Sequence, residues 1–135
     1  MNIAFFLLPK SETVYLKEIY TVRQALEKMQ HNGYNALPIL NEAGMYIGTI
    51  TASDFLWFFK DEYDLQLNLA SKISLMDVPR KYDNRAVSID SCVENLLEAA
   101  MEQNFIPVID DLGVFIGIVR RREIIEYYKK SLSHK

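Results

Sequence analysis

The sequence predicts a mixed α/β (α+β) fold made of two pseudo-symmetric β-α-β-β-α repeats. Three observations carry that prediction: a string that occurs twice, a helical periodicity ahead of each copy, and a hairpin pattern inside each copy. The first copy, NALPILNEAGMYIGTITASDF, runs from Asn35 to Phe55 and returns as FIPVIDDLGVFIGIVRRREI from Phe105 to Ile124. Pro38 and Pro107, Gly44 and Gly113, Gly48 and Gly117, and Asp54 and Glu123 keep one separation of 69 positions. A repeat of this kind sets the architecture, because neither unit buries its apolar face alone and the two pack together. The division that follows is repeat 1 over residues 1–60, a connecting helical segment over 61–82, and repeat 2 over 83–135.

The opening MNIAFFLLPKS is apolar from Ile3 to Leu8. It is too short for a signal core and lacks a basic start, so it reads as a buried strand or helical turn. Each copy then begins with a β-prone run, Thr13 to Leu16 and Ala86 to Ile89. A helix follows in each. Val22, Ala25, Leu26 and Met29 recur at i, i+3, i+4 and i+7, as do Val93, Leu96, Leu97 and Ala100. Asn32-Gly33 predicts a left-handed end to the first helix. Leu37 to Leu40 and Pro107 to Ile109 then read as strands, and turns at Asn41–Gly44 and Asp110–Gly113 lead into Tyr46 to Thr51 and Val114 to Val119. Second helices start near Ser53 and Arg122. The stretch from Lys60 to Tyr82 reads as mostly helical, with a stop before Pro79. Phe55, Leu56, Trp57, Phe58 and Phe59 are consecutive, and a helix apolar on more than one face is buried on more than one side. Two readings stand for that run: internal core, or a surface for self-association.

Composition bounds the function. The chain has 135 residues, 50% of them hydrophobic and 24% charged, with a formal net charge of −3. That is globular composition, and the acidic balance argues against nucleic acid as a partner. Cys92 is the single cysteine, which excludes an internal disulfide and fits a cytoplasmic protein. One cysteine with His31 and His134 does not make a structural zinc site without other ligands, so no metal is expected. No stretch reaches the roughly 18 to 20 apolar residues needed to span a bilayer, and no membrane role is expected. Neither Cys92 nor His31 has a nucleophile or base partner in the pattern, and Asp61, Glu62 and Asp64 read as a solvated helix end. The expectation is a protein without catalysis.

The T-V-x-x-A-L-x-x-M helix from Thr21 to Met29, the L-P-I-L strand before Asn41, the Gly44 turn and the G-x-x-T-x-x-D element of Gly48, Thr51 and Asp54 together resemble the CBS domain, named after cystathionine β-synthase, here as a tandem pair of the small bacterial type. The resemblance covers nearly the whole chain. It implies a pseudo-symmetric pair that commonly dimerises through its helices and senses adenine-containing ligands: AMP, ATP, S-adenosylmethionine or cyclic di-AMP. With no other domain in the sequence, such a pair would act on a separate effector protein.

Thr51 and Asp54 lie where a strand passes into a helix, so backbone N–H groups and the positive helix end attract phosphate there. Asp54 is a natural acceptor for ribose hydroxyls. The alternative is plain helix capping, which stabilises by about 1 kcal/mol per cap. In the second copy the string is GIVRRRE: Arg120 stands for the threonine and Glu123 for the aspartate. Arginine forks match phosphate, while a solvated basic turn with Arg122 paired to Glu126 is the competing reading. The resemblance implies that Thr51 and Asp54 share a ligand with Ala86, Val87 and Asn104, with Arg85 nearby. It groups Arg120, Arg121 and Arg122 with Lys10, Thr13, Tyr34 and Asn35. Arg80 and Lys81 add basic charge between the copies. Paired arginines at the positions of Arg121 and Arg122 are similar to those of small CBS-pair proteins that bind cyclic di-AMP, which makes that dinucleotide the first ligand to consider, followed by AMP, ADP and ATP. No cofactor is expected. The expected function is a homodimeric adenine-nucleotide sensor, and the alternative is a ligand-independent dimerisation module with vestigial clefts.

Overall fold

The computed structural model describes residues 2–81 and 83–133. In chain order the elements are β1 (Leu8–Pro9), β2 (Leu16–Lys17), α1 (Val22–Asn32), β3 (Ala36–Leu40), β4 (Tyr46–Thr51), α2 (Ala52–Glu62), β5 (Val87–Ser88), α3 (Val93–Ala100), β6 (Phe105–Ile109), β7 (Phe115–Arg120) and α4 (Arg121–Ser133). Short 3-10 turns lie at Ile3–Phe6, Lys10–Glu12, Leu67–Lys72 and Leu75–Asp77. The predicted β-α-β-β-α order is present twice. The chain divides into two compact units, Val14–Asp83 and Met1–Thr13 together with Asn84–Lys135.

In the Val14–Asp83 unit, β2 runs parallel to β3, and β3 pairs antiparallel with β4. Its core gathers Leu16, Val22, Ala25, Met29, Leu37, Ile39, Ile50, Phe55 and Phe59, closed by Ala70, Ile73, Leu75 and Val78 from the connecting stretch. The helix ends follow the sequence closely. Thr21 caps α1 through a reciprocal box: its hydroxyl accepts from Gln24 N–H at 3.2 Å, and the Gln24 side chain accepts from Thr21 N–H at 2.8 Å. Gly33, at φ 71°, ends α1, and the Tyr34 N–H reaches back to the Met29 carbonyl at 3.0 Å.

The connecting stretch, read from the sequence as mostly helical, takes its helical turns in 3-10 form. After α2, Asp64 and Leu65 take φ of 49° and 59°, left-handed values that no α-helix continues through, and the chain proceeds in two 3-10 turns. Tyr82, the last residue of the predicted segment, and His134 lie outside the described residues.

In the other unit β6 pairs parallel with β5 and antiparallel with β7, and β1 adds to the free edge of β7. The opening apolar run thus packs with the second copy: Ile3 and Phe6 join Val87, Leu96, Ile106, Val108, Val119 and Ile124 in one core. The two hairpins share an irregularity. Register shifts between Ile39 and Leu40 and again between Val108 and Ile109, opposite the glycines at 48 and 117.

The aromatic run divides by helical face. Phe55 and Phe59 are buried, while Leu56 and Trp57 are 50% and 54% exposed. On α4, Ile124 is buried and Ile125, Tyr128 and Leu132 are exposed. Gly117 sits directly beneath β1, where a Cβ would collide with the Leu8 carbonyl oxygen. Gly117→Ala is therefore expected to push β1 off β7 and to destabilise by about 2–3 kcal/mol. Urea denaturation measures it, and an unchanged midpoint would contradict the tight crossing.

Candidate functional site

The junction of β4 and α2 holds the sequence-predicted pair Thr51 and Asp54. Thr51 is the cap of α2: its Oγ1 accepts from Asp54 N–H at 3.1 Å, and Asp54 Oδ2 accepts from Thr51 N–H at 2.9 Å. The other carboxylate oxygen, Oδ1, accepts the Lys81 N–H at 3.3 Å. Asp54 is buried, at 8% exposure, so these bonds offset the cost of enclosing a carboxylate. Beside it lies a cavity of about 240 Å³ lined by Asp54, Trp57, Phe58, Asp61, Glu62, Pro79, Arg80 and Lys81.

A feature the sequence reading missed sits one turn of strand upstream. Asp83 Oδ1 accepts both the Thr49 N–H and Arg80 Nε at 2.9 Å. The Arg80 side chain is only 18% exposed in that pair. Both residues rest on the bare α-carbon of Gly48, where a Cβ would lie 2.7 Å from Asp83 Oδ1 and 2.8 Å from Arg80 Nε. The basic charge of Arg80 was visible in the sequence; its seat on a glycine 32 positions away was not.

In the other unit the equivalent junction is built differently. Arg120 pairs with Glu123 through Nη2 and Oε1, and that ion pair takes the place of the Thr51–Asp54 box. Arg121 donates through Nε to the Ala100 carbonyl at 2.7 Å, satisfying an end carbonyl of α3, and its N–H donates to the Asn104 carbonyl at 2.9 Å. Arg122 meets Glu126 at 3.0 Å and stays 86% exposed. Each arginine thus spends one nitrogen on the protein, and a guanidinium has five N–H donors. Ala86 and Val87 line a separate cavity of about 230 Å³ with Arg85, Ser88, Ser91, Asn95 and Glu98. Thr13 donates to the Lys10 carbonyl at 2.8 Å within the same unit as the arginines. Tyr34 and Asn35 belong to the Val14–Asp83 unit, where the Asn35 carbonyl accepts Ala52 N–H at 2.8 Å and Tyr34 is 43% exposed.

Among the described residues no group of three His, Cys, Asp or Glu side chains is arranged to hold a metal ion, and no helix is long and apolar enough to cross a membrane. Cys92 is exposed at the start of α3.

Because Asp54 both caps α2 and anchors Lys81, Asp54→Ala is expected to cost about 1–2 kcal/mol of stability. Asp54→Asn keeps one acceptor and should cost less. Urea denaturation of both variants checks the order, and an alanine variant as stable as the parent would remove the capping role.

The family model of the CBS domain matches residues 8–61 and 85–130. Solved structures give the same fold. The chain is 17% identical to the Listeria monocytogenes CbpB protein solved in complex with c-di-AMP, at a TM-score of 0.87 with 98% of each chain covered. It is 24% identical to a CBS domain protein from Streptococcus pneumoniae, at a TM-score of 0.83 over 96% of this chain and 87% of that one. CBSX2 solved with AMP aligns at a TM-score of 0.74 and 19% identity over 96% of both. No curated protein matches the chain in sequence. The chain belongs to the CBS domain family, with two copies of the domain.

Proposed function

We propose that this CBS-domain protein is a regulatory module that binds an adenine nucleotide and signals to a separate effector protein. Cyclic di-AMP is the first candidate ligand, ahead of AMP, ADP and ATP. The observation that carries the reading is the β4–α2 junction, where Thr51 and Asp54 bring a hydroxyl and a buried carboxylate to a helix N-terminus. Support comes from the relatives of the same fold solved with c-di-AMP and with AMP.

In this reading Thr51 serves phosphate, Asp54 serves ribose, and Ala86, Val87 and Asn104 serve the base. Arg120, Arg121 and Arg122, with Lys10, Thr13, Tyr34 and Asn35, form the second set of ligand residues. The module is regulatory rather than catalytic, and cysteine usage fits the cytoplasm.

Thermal melting with each nucleotide tests the proposal, since a ligand at 100 times its Kd adds about 2.7 kcal/mol. Arg122 is the cleanest probe of the second set, because it is exposed and, among the described residues, pairs with Glu126 alone. Arg122→Ala is expected to weaken a two-phosphate ligand such as cyclic di-AMP about tenfold, and Arg122→Lys to restore part of that affinity. Calorimetry reading equal affinity in all three proteins would leave the arginine as a solvated surface residue.

A second reading is favoured by a specific observation: Thr51, Asp54 and all three arginines already hold partners within the protein. That fits a ligand-independent association module. No melting shift with any of the four nucleotides would select it.

Both readings include a homodimer, motivated by the exposed Leu56 and Trp57 on α2 and the exposed Ile125 and Leu132 on α4. Light scattering at tens of micromolar is expected to give twice the monomer mass, the scale of ordinary association. Trp57→Ala should weaken assembly while leaving the fold intact, because its side chain is half exposed. A monomer in the parent protein would overturn this part.

A further inference from the structure

The groups that anchor the end of the connecting chain to β4 and α2 are the same groups a nucleotide would use there. Lys81 N–H holds Asp54 Oδ1, the acceptor assigned above to ribose. Arg80, a cation in the cavity beside Asp54, is held by Asp83 instead of by a phosphate. Asp83 in turn is tied to β4 through the Thr49 N–H. We infer that ligand binding at Thr51 and Asp54 competes with these anchors, so that occupancy loosens the connecting chain from β4 and α2. This rests on the nucleotide reading and adds its regulation.

The physical argument is one of shared partners. Each carboxylate oxygen of Asp54 already accepts one N–H, Oδ2 from Thr51 at 2.9 Å and Oδ1 from Lys81 at 3.3 Å. A ribose hydroxyl arriving at Asp54 shares or displaces one of them, and the Lys81 bond is the longest of the set. A phosphate within reach of Arg80 would draw the guanidinium into a bidentate fork, a stronger geometry than its single Nε bond to Asp83. Competition of this kind is reciprocal: the factor by which the anchors weaken the ligand is the factor by which the ligand weakens the anchors. Gly48 fits the scheme, because only a residue without a side chain leaves room for the Arg80–Asp83 pair on the strand.

Two variants release the anchors without touching Thr51 or Asp54. Asp83→Ala removes the acceptor for Thr49 N–H and Arg80. Gly48→Ala puts a methyl group where the pair sits. Calorimetry with AMP and with cyclic di-AMP is expected to show at least threefold tighter binding in each variant than in the parent. The Thr49 amide reports the anchor directly, so hydrogen exchange followed by NMR should show it exchanging faster when the parent protein is saturated with nucleotide. Binding by the parent with an unmoved Thr49 amide, or with affinities within twofold in both variants, overturns the linkage and leaves the nucleotide reading standing. Binding that appears only in the variants supports the linkage in its strongest form. Absence of binding in all three proteins overturns the nucleotide reading and the linkage with it.

Discussion

A proline in the first strand of each hairpin imposes the constraint on which the two units turn. Pro38 lies opposite Thr49, and Pro107 opposite Ile118. Proline has no N–H to give its neighbour, so each of these is a pair without a closed hydrogen-bond ring, and the facing residue turns its own backbone groups to the outer edge. An edge of unpaired groups is costly if buried and adhesive if exposed. The units meet the requirement in different ways. Leu8 and Pro9 add a short strand opposite Ile118 and Gly117, whereas the Thr49 N–H receives the side chain of Asp83. One edge is closed by backbone and the other by a carboxylate. The glycine next to each edge residue gives the covering segment room to approach, which explains why Gly48 and Gly117 recur at the same place in the repeat.

The two strand-to-helix junctions diverge within the same frame. Thr51 and Asp54 close a reciprocal cap, the arrangement that a threonine and a short carboxylate three residues apart readily form. Arginine at 120 has no oxygen to accept a helix N–H, so the capping role is lost and Glu123 turns to the guanidinium. The following arginine compensates elsewhere by satisfying an end carbonyl of α3. Stability and charge have thus been redistributed around the second junction. The guanidinium groups of Arg120 and Arg122 are paired with carboxylates and that of Arg121 with a carbonyl, and each retains further N–H donors.

Much of this fold is legible in the sequence because the repeat supplies every boundary twice. The helix α1, the hairpin turns at Gly44 and Gly113, and the left-handed end at Gly33 all follow from local chemistry that needs no tertiary partner. What escaped the sequence depends on contacts between distant residues. That the opening run Ile3–Pro9 would serve the second copy is decided by pairing with β7, more than a hundred positions away. The 3-10 form of the stretch after α2 follows from two left-handed residues, Asp64 and Leu65, neither of them a glycine that would have announced the break. The candidate site shows the same division. Thr51 and Asp54 are recognisable by spacing, while the Asp83 anchor is a single acidic residue in a loop, indistinguishable by type from a solvated one.

A site whose polar groups hold one another is compatible with ligand binding, and the physics sets its terms. Buried donors and acceptors left without partners cost more than their bonds return, so a carboxylate such as Asp54 requires substitutes whenever no ligand is bound. Lys81 N–H fills that role for Asp54, as Asp83 does for the Thr49 N–H, both within one unit. Affinity at such a site is the difference between bonds to the ligand and bonds already present, not their sum. Strong internal partners therefore lower affinity and at the same time give the ligand something to displace. A module that only stored a nucleotide would gain nothing from that arrangement. A module that reports a nucleotide requires it, because a ligand shifts a conformational balance only through contacts it makes differently in the two states.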